Sequence, residues 1–252
     1  METSFMFRRA FQAMIPAVFL LASCGKDDDP VTPTVEQGRI IVSHAAAAAN
    51  TAVTVAVNDV AGGQLNYGQT GTYFNIAAGT PKLSIRNGTT DITSQVVTIA
   101  KDQNYSAFAY SPTATIGSAA LLVVPDDLTA PSTGTAKVRV VHLGVGAPSP
   151  VRLTLPSVVP GAAGTDVTSD VAFGAASAFA PINAGAYSLS ITTAVAGSAV
   201  RTQAVALGDG SGTGTGTKTF EAGKIYTVVV RGIAGTAVPT AQQIQAVIIQ
   251  NN

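Results

Sequence analysis

Along most of the chain apolar and polar positions alternate with a period of two, the spacing of half-buried strands whose successive side chains point to opposite faces. Val53, Val55 and Val57 are separated by Thr54 and Ala56, and Leu83 and Ile85 alternate with Lys82, Ser84 and Arg86. Over the first half of the chain this pattern predicts strands at 39–43, 51–57, 71–76, 81–86, 91–99, 104–110 and 118–124. Near the C-terminus Ile244, Ala246 and Ile248 are interleaved with Gln245, Val247 and Ile249, a strand expected to be covered on both faces. Asn87-Gly88 supplies the positive φ values of a two-residue hairpin turn, and Gly62-Gly63, Gly79 and Gly185 punctuate further turns. The helix-like stretch Ala45 to Ala49 is too short to nucleate a helix and reads as a loop or a single turn.

The pattern is written twice. Gly38-Arg39-Ile40-Ile41-Val42-Ser43-His44 matches Ala136-Lys137-Val138-Arg139-Val140-Val141-His142, and Leu65-Asn66-Tyr67-Gly68 matches Val171-Ala172-Phe173-Gly174. Tyr73 to Ile85 matches Phe179 to Ile191, and Tyr105-Ser106-Ala107-Phe108 matches Tyr226-Thr227-Val228-Val229. Order is kept and spacing drifts through insertions, the largest being the Gly/Thr tract Gly208 to Thr217. Two domains are expected, 38–128 and 135–252, joined by a short Pro/Ser/Gly linker at 129–134. Short strands with turns every 8–12 residues or so predict sandwiches. The expected fold class is therefore all-β: two tandem immunoglobulin-like antiparallel β-sandwiches.

The strand ending in His (Val140-Val141-His142, followed by Ala147-Pro148), the Ala-Gly pairs at Ala78-Gly79 and Ala184-Gly185, and the late run Tyr226 to Val230 together resemble the domain of unknown function family 4397 (DUF4397), once per copy. In that family the His is typically followed by Ala-Ser-Pro-Asp-Ala-Pro. Here copy one has Ala45 to Ala49 and copy two Leu143-Gly144-Val145-Gly146-Ala147-Pro148, so the Asp is missing from both. The resemblance implies a fold and a compartment; it carries no activity.

The N-terminal segment, by contrast, is an address. Arg8 and Arg9 precede an apolar run, Ala10 to Leu21, too short to cross a ~30 Å hydrocarbon core as a helix. It ends in Leu21-Ala22-Ser23-Cys24, which resembles the bacterial lipobox. Residues 1–23 are expected to be a signal peptide cleaved between Ser23 and Cys24, with Cys24 taking the lipid. Each buried methylene contributes ~0.8 kcal/mol, so two or three chains anchor a protein durably. Residues 24–37 form a flexible tether. Its Asp27-Asp28-Asp29 resembles the acidic mark of surface-exposed lipoproteins in Bacteroidetes-type bacteria; a plain solvated linker is the alternative.

Composition narrows the chemistry. The 252 residues carry 14 basic and 14 acidic side chains, only 11% charged in all, which leaves no electrostatic footprint for nucleic acid. One Cys and two His cannot make an internal disulfide or a Cys-rich zinc site. His44 and His142 end equivalent strands; they read either as ligands or bases, or as structural groups bonding loop backbone, and the second reading is preferred. The tract Gly208 to Thr219 fails as a phosphate loop because Thr217, not Gly, precedes Lys218 and no helix pattern follows; it reads as a flexible hairpin loop. Tyr105 and Tyr226 each begin a late strand and resemble the tyrosine corner of sandwich folds. Asp126-Asp127 reads as a solvated turn rather than a calcium site. Tyr67 and Tyr110 are left as exposed candidates for a carbohydrate platform, in a chain without Trp.

The resulting expectation is a non-catalytic cell-envelope protein on the outer membrane, surface-exposed and without cofactor or metal. Its partners would be the membrane, through the lipid on Cys24, and an envelope protein. The alternative is a glycan-binding accessory lipoprotein of a nutrient-uptake system.

Overall fold

A computed structural model of the protein describes residues 35–49, 51–160 and 162–252. The N-terminal segment with Ser23 and Cys24 lies outside the described residues. The first half contains β1 (Gln37–Ala45), β2 (Val53–Val57), β3 (Val60–Leu65), β4 (Phe74–Ala77), β5 (Lys82–Asn87), β6 (Thr90–Val96), β7 (Asn104–Tyr110) and β8 (Ala120–Asp126). The second contains β9 (Thr135–His142), β10 (Arg152–Leu155), β11 (Thr165–Asp166), β12 (Ala175–Ala176), β13 (Ala180–Asn183), β14 (Gly185–Tyr187), β15 (Ser190–Thr193), β16 (Thr202–Ala206), β17 (Lys218–Phe220), β18 (Ile225–Arg231) and β19 (Gln245–Gln250).

The protein is all-β, with β-sandwich packing. One sheet of the first half has the order β4-β1-β7-β8 and the other β3-β2-β5-β6. The second half shows β9-β18-β19, with β12 and β13 both on the free side of β9, opposite a sheet ordered β11-β10-β15-β16. The ladders are antiparallel except one in each half: β1 runs parallel to β7, and β9 parallel to β18.

Four sheets are stacked, with three apolar seams between them. The first seam joins Ile40, Val42 and Ala107 to Val53, Val55, Leu83 and Ile85. The third joins Val138, Val140 and Val228 to Leu153, Ile191 and Val205. Between these lies a second seam, where Phe108 and Ala45 of the first half meet Val141, Leu143, Val229 and Val247 of the second. The two inner sheets are thus covered on both faces. That is why β18, with Tyr226 to Val230, is buried along almost its whole length and reads as a continuous apolar run. The outer sheets alternate, and their polar faces carry exposed ion pairs such as Arg86–Asp59 and Arg152–Asp170. The expectation for the last strand holds at its centre, where Ala246 and Val247 are both buried.

The strand β3 differs from expectation, whereas the alanine stretch is the single turn expected of it. The strand β3 runs through Gly62-Gly63, which reads in sequence as a turn. The register slips there against β2, so the glycines form a bulge in an edge strand. The turn itself is Asn58-Asp59, with φ of 47° and 66°, the pair of left-handed residues that a two-residue hairpin needs. The alanine stretch forms one 3₁₀ turn, Ala47–Ala49, buried against Ile233 of the second half.

Candidate functional site

The described residues converge most strongly at the junction of the two inner sheets. Arg139 stands on β9 between Val138 and Val140, but strand alternation turns it away from the sandwich interior and toward the first half. Its Nη2 lies 2.6 Å from Oδ1 of Asp126, the last residue of β8, and both side chains are almost wholly buried. Arg139 Nε donates to Thr227 Oγ1 at 3.0 Å, Nη1 to the Pro125 carbonyl at 3.1 Å and Nη2 to Ser106 Oγ at 2.9 Å. Ser106 Oγ in turn donates to Asp126 Oδ2 at 2.7 Å, and the Tyr73 hydroxyl donates to the same oxygen. Thr227 Oγ1 donates to Asn251 Oδ1 at 2.7 Å, and Asn251 Nδ2 donates to Tyr73 Oη at 3.2 Å. The guanidinium also lies over the Phe179 ring, 4.4 Å from its centroid.

Burial lowers the Arg139 pKa from its ordinary value, and the Asp126 charge opposes that shift. Tyr73 is raised well above the usual phenol range, first by burial and then by the Asp126 carboxylate. The network is a buried, hydrogen-bonded clamp. Its carboxylate, phenol and hydroxyls are spent on one another and on holding the two halves together. Asp126 is therefore no solvated turn, as its sequence suggested. Asp127 beside it is exposed and pairs with Lys137 across the linker at 2.8 Å; this pairing, with the Thr129 hydroxyl and N–H, pulls Asp127 down to about 2.

At the far end of the same junction the two histidines occupy equivalent positions. His44 is fully buried; its Nε2 lies 3.0 Å from the Thr51 carbonyl, and Nδ1 accepts from the Ala46 N–H at 3.2 Å. Tyr67 packs edge-on against it at 5.8 Å, and Arg231 of the second half covers the Tyr67 ring at 5.1 Å. His142, also fully buried, has Phe173 edge-on at 5.8 Å, and Tyr110 of the first half packs against Phe173 at 5.9 Å. Each half thus presents a His-supported ring to the last residue of the other half's β7 or β18. Beside each ring is a glycine with positive φ, Gly68 under Arg231 and Gly174 under Tyr110, where a side chain would crowd the visitor.

Burial lowers the pKa of both histidines; the Thr51 carbonyl opposes this at His44, with the Arg231 charge adding to the lowering, and the Pro148 carbonyl opposes it at His142. His44 bonds loop backbone as its structural reading expects, whereas His142 is buried with neither ring nitrogen in a hydrogen bond of good geometry. Tyr67 and Tyr110, expected as exposed carbohydrate candidates, are packed into the junction and have no free platform to offer.

The remaining sequence candidates fall as follows. Tyr105 and Tyr226 form matching corners: the Tyr105 hydroxyl accepts from the Ala100 N–H at 3.0 Å and the Tyr226 hydroxyl from the Glu221 N–H at 3.1 Å. The tract Gly208 to Thr217 is packed, contrary to the expectation of a flexible loop. Its glycines at 208, 210, 212, 214 and 216 all have positive φ. Ser211 bridges to Val247, and the Ile248 N–H donates to the Gly210 carbonyl at 2.9 Å, so the tract covers the outer edge of β19. Ser211, Thr213 and Thr215 form a row of hydroxyls 3.0 Å apart along it.

An open groove of about 910 Å³ lies between the two halves at the end where β1 begins. Arg39, Asp102, Asn104, Thr129, Ser177 and Phe179 are on its walls, with the Arg139–Asp126 pair at its base. Among the described residues no group of three or more His, Cys, Asp or Glu is placed to hold a metal ion, and no helix is long and apolar enough to cross a membrane. The clamp had one signal in the sequence, an Arg flanked by valines in a predicted strand; its partners, up to 178 positions apart, had none.

Residues 38–150 match the family described as a domain of unknown function, DUF4397. The match spans the first sandwich and runs through β9 as far as Pro150. No curated protein matches the chain.

Proposed function

We propose, from the premise that residues 38–150 are a DUF4397 domain, that the protein is a lipid-anchored cell-envelope module, non-catalytic, built from two tandem copies of one sandwich. It works by display: the lipid on Cys24 holds it, the acidic tether gives reach, and a stiff double sandwich presents its loops and outer sheets to an envelope partner. The observation that carries this reading is the clamp. The polar groups buried at the junction are spent on fixing one sandwich against the other. For the anchor the support is Leu21-Ala22-Ser23-Cys24 followed by three aspartates.

The test is detergent-phase partition of the full chain produced in a bacterial host, followed by cross-linking and capture from envelope extract. Wild type should enter the detergent phase and Cys24→Ala should not. A Cys24→Ala chain that still partitions ends the anchoring argument, and capture of no envelope protein ends the display argument.

The groove favours a second reading, glycan binding. Its size is that of a ligand pocket, and amides, hydroxyls and a half-buried Phe179 line it. A flat response on a polysaccharide array removes it.

A further inference from the structure

The two inner faces are built on the same plan but differ in charge at one place. Strand register makes Ile41 the counterpart of Arg139, because Ile41 lies opposite Ser106 on β7 and Arg139 opposite Thr227 on β18. It makes Asn251 the counterpart of Asp126. Asp126 pairs with Asn104, just before Tyr105, and the Asn251 N–H donates to the Ile225 carbonyl, just before Tyr226. Applying the approximate two-fold relation that exchanges the halves moves the Arg139–Asp126 site onto Ile41 and Asn251. Those two residues line one narrow gap between the inner sheets, with no charge in it. The junction therefore has two equivalent sites, one ionic and one neutral.

We infer that the Arg139–Asp126 pair determines which sandwich each inner face accepts: the first face is selective for a sandwich bearing Arg at the Arg139 position and rejects copies of itself. Two first sandwiches face to face would bury two Asp126 carboxylates against Ile41. Two second sandwiches would bury two Arg139 guanidinium groups against Asn251. Both arrangements leave buried charges unpaired, the strongest available penalty against a wrong partner. Only the unlike pair satisfies both charges. The apolar seam of Phe108, Val141 and Val229 supplies adhesion, and the buried charges set the choice of partner. The partner that fits either face is thus a second sandwich of this kind with the complementary charge, in this chain the other half.

The test uses the full chain with a protease site inserted between Ser132 and Thr133, in the exposed part of the linker. The chain is cleaved after folding, diluted, reconcentrated and weighed by native mass spectrometry, which separates like from unlike pairs by mass. Wild type should give unlike pairs alone. The double variant Arg139→Ile with Asp126→Asn makes both sites alike, and like pairs should rise toward about half of all complexes, the share for unbiased pairing. Moving the pair across the two-fold, by adding Ile41→Arg and Asn251→Asp to that variant, should restore unlike pairs. The inference is overturned by like pairs in the wild type, by unlike pairs alone in the double variant, or by single modules from the double variant, which would make the pair adhesive rather than selective. Should the double variant fail to fold, the relocated variant decides: unlike pairs support the inference, and like pairs or a chain that does not fold end it.

Discussion

Gly210 sits so close to Ile248 that a Cβ on it would fall 2.4 Å from the Ile248 Cγ1. The glycine is also at φ +82°, a conformation that costs an L side chain about 1–2 kcal/mol. Gly210→Ala should combine strain with overlap and lose about 2–4 kcal/mol, since crowding a packed site adds a cost of its own. In calorimetry this corresponds to a melting point lower by about 5–15 °C. Gly88→Ala is the control: φ is +59° but no atom lies within 4 Å of the new Cβ, so only the strain remains. Equal losses at both sites would show that the tract is not packed against β19. Deleting residues 208–217 should likewise destabilise, and it should promote aggregation by uncovering a strand edge.

The clamp predicts a strongly non-additive cycle. Arg139→Met leaves the Asp126 carboxylate buried without its cation and should cost about 3–5 kcal/mol. Asp126→Leu alone strands the guanidinium and should cost a similar amount. The two together remove both charges, and the double variant should recover most of the loss in urea titrations. Additive losses would mean that the pair makes no direct coupling. The wild type should unfold in one transition, since the middle seam is as buried as the two outer ones.

How much of this was legible in the sequence follows from range. The period-two pattern locates β2, β5 and β7 within a few residues because each needs only its own side chains to declare a buried face. The strand β3 was hidden by Gly62-Gly63, since a bulge and a turn call for the same residue. Burial of the inner sheets on their second face was visible only as an excess of apolar residues, as in Val138, Val140 and Val141. Nothing local marks Tyr67 or Tyr110 as buried. Each is covered by a residue of the other half, Arg231 and Phe173, and the orientation of the halves is not encoded in either half alone. The packing of Gly208 to Thr217 was invisible for the same reason: alternating Gly and Ser or Thr describes a flexible linker equally well until β19 lies beside it.

The tyrosine corners predict a small, matched loss. Tyr226→Phe keeps the ring against Phe220, 5.1 Å away, but leaves the Glu221 N–H without its acceptor. The cost should be about 1–3 kcal/mol, the penalty for an unsatisfied donor, and Tyr105→Phe should lose no more, because its Ala100 N–H partner is more exposed. Urea midpoints measure both. No loss at either site would remove the hydroxyls from the account of stability.

The histidines set the pH dependence. In the folded chain His44 and His142 have pKa values lowered from 6.5 by burial, so below that pH the unfolded chain binds protons that the folded chain does not. Stability is then full above pH 6.5 or so and falls as the pH drops from there toward the folded pKa values. The slope is at most about 1.4 kcal/mol per pH unit for each His. Asp127 acts in a lower window and with the depressed-carboxylate sign: its contribution is present above the unfolded pKa near 3.8 and is lost as the pH falls to about 2. It should be small, because the Asp127 carboxylate is exposed. Melting temperatures between pH 8 and pH 5 follow the histidine window, and those between pH 5 and pH 2 the Asp127 window. His142→Phe should flatten the upper one by about half, since His142 rests against Phe173 and makes no hydrogen bond of good geometry that the substitution would break. His44→Phe should flatten it too but also lower stability at pH 8, where the loss of the contacts to Thr51 and Ala46 remains. A wild-type melting temperature that does not change between pH 7 and pH 5 would show that neither ring is held neutral by burial.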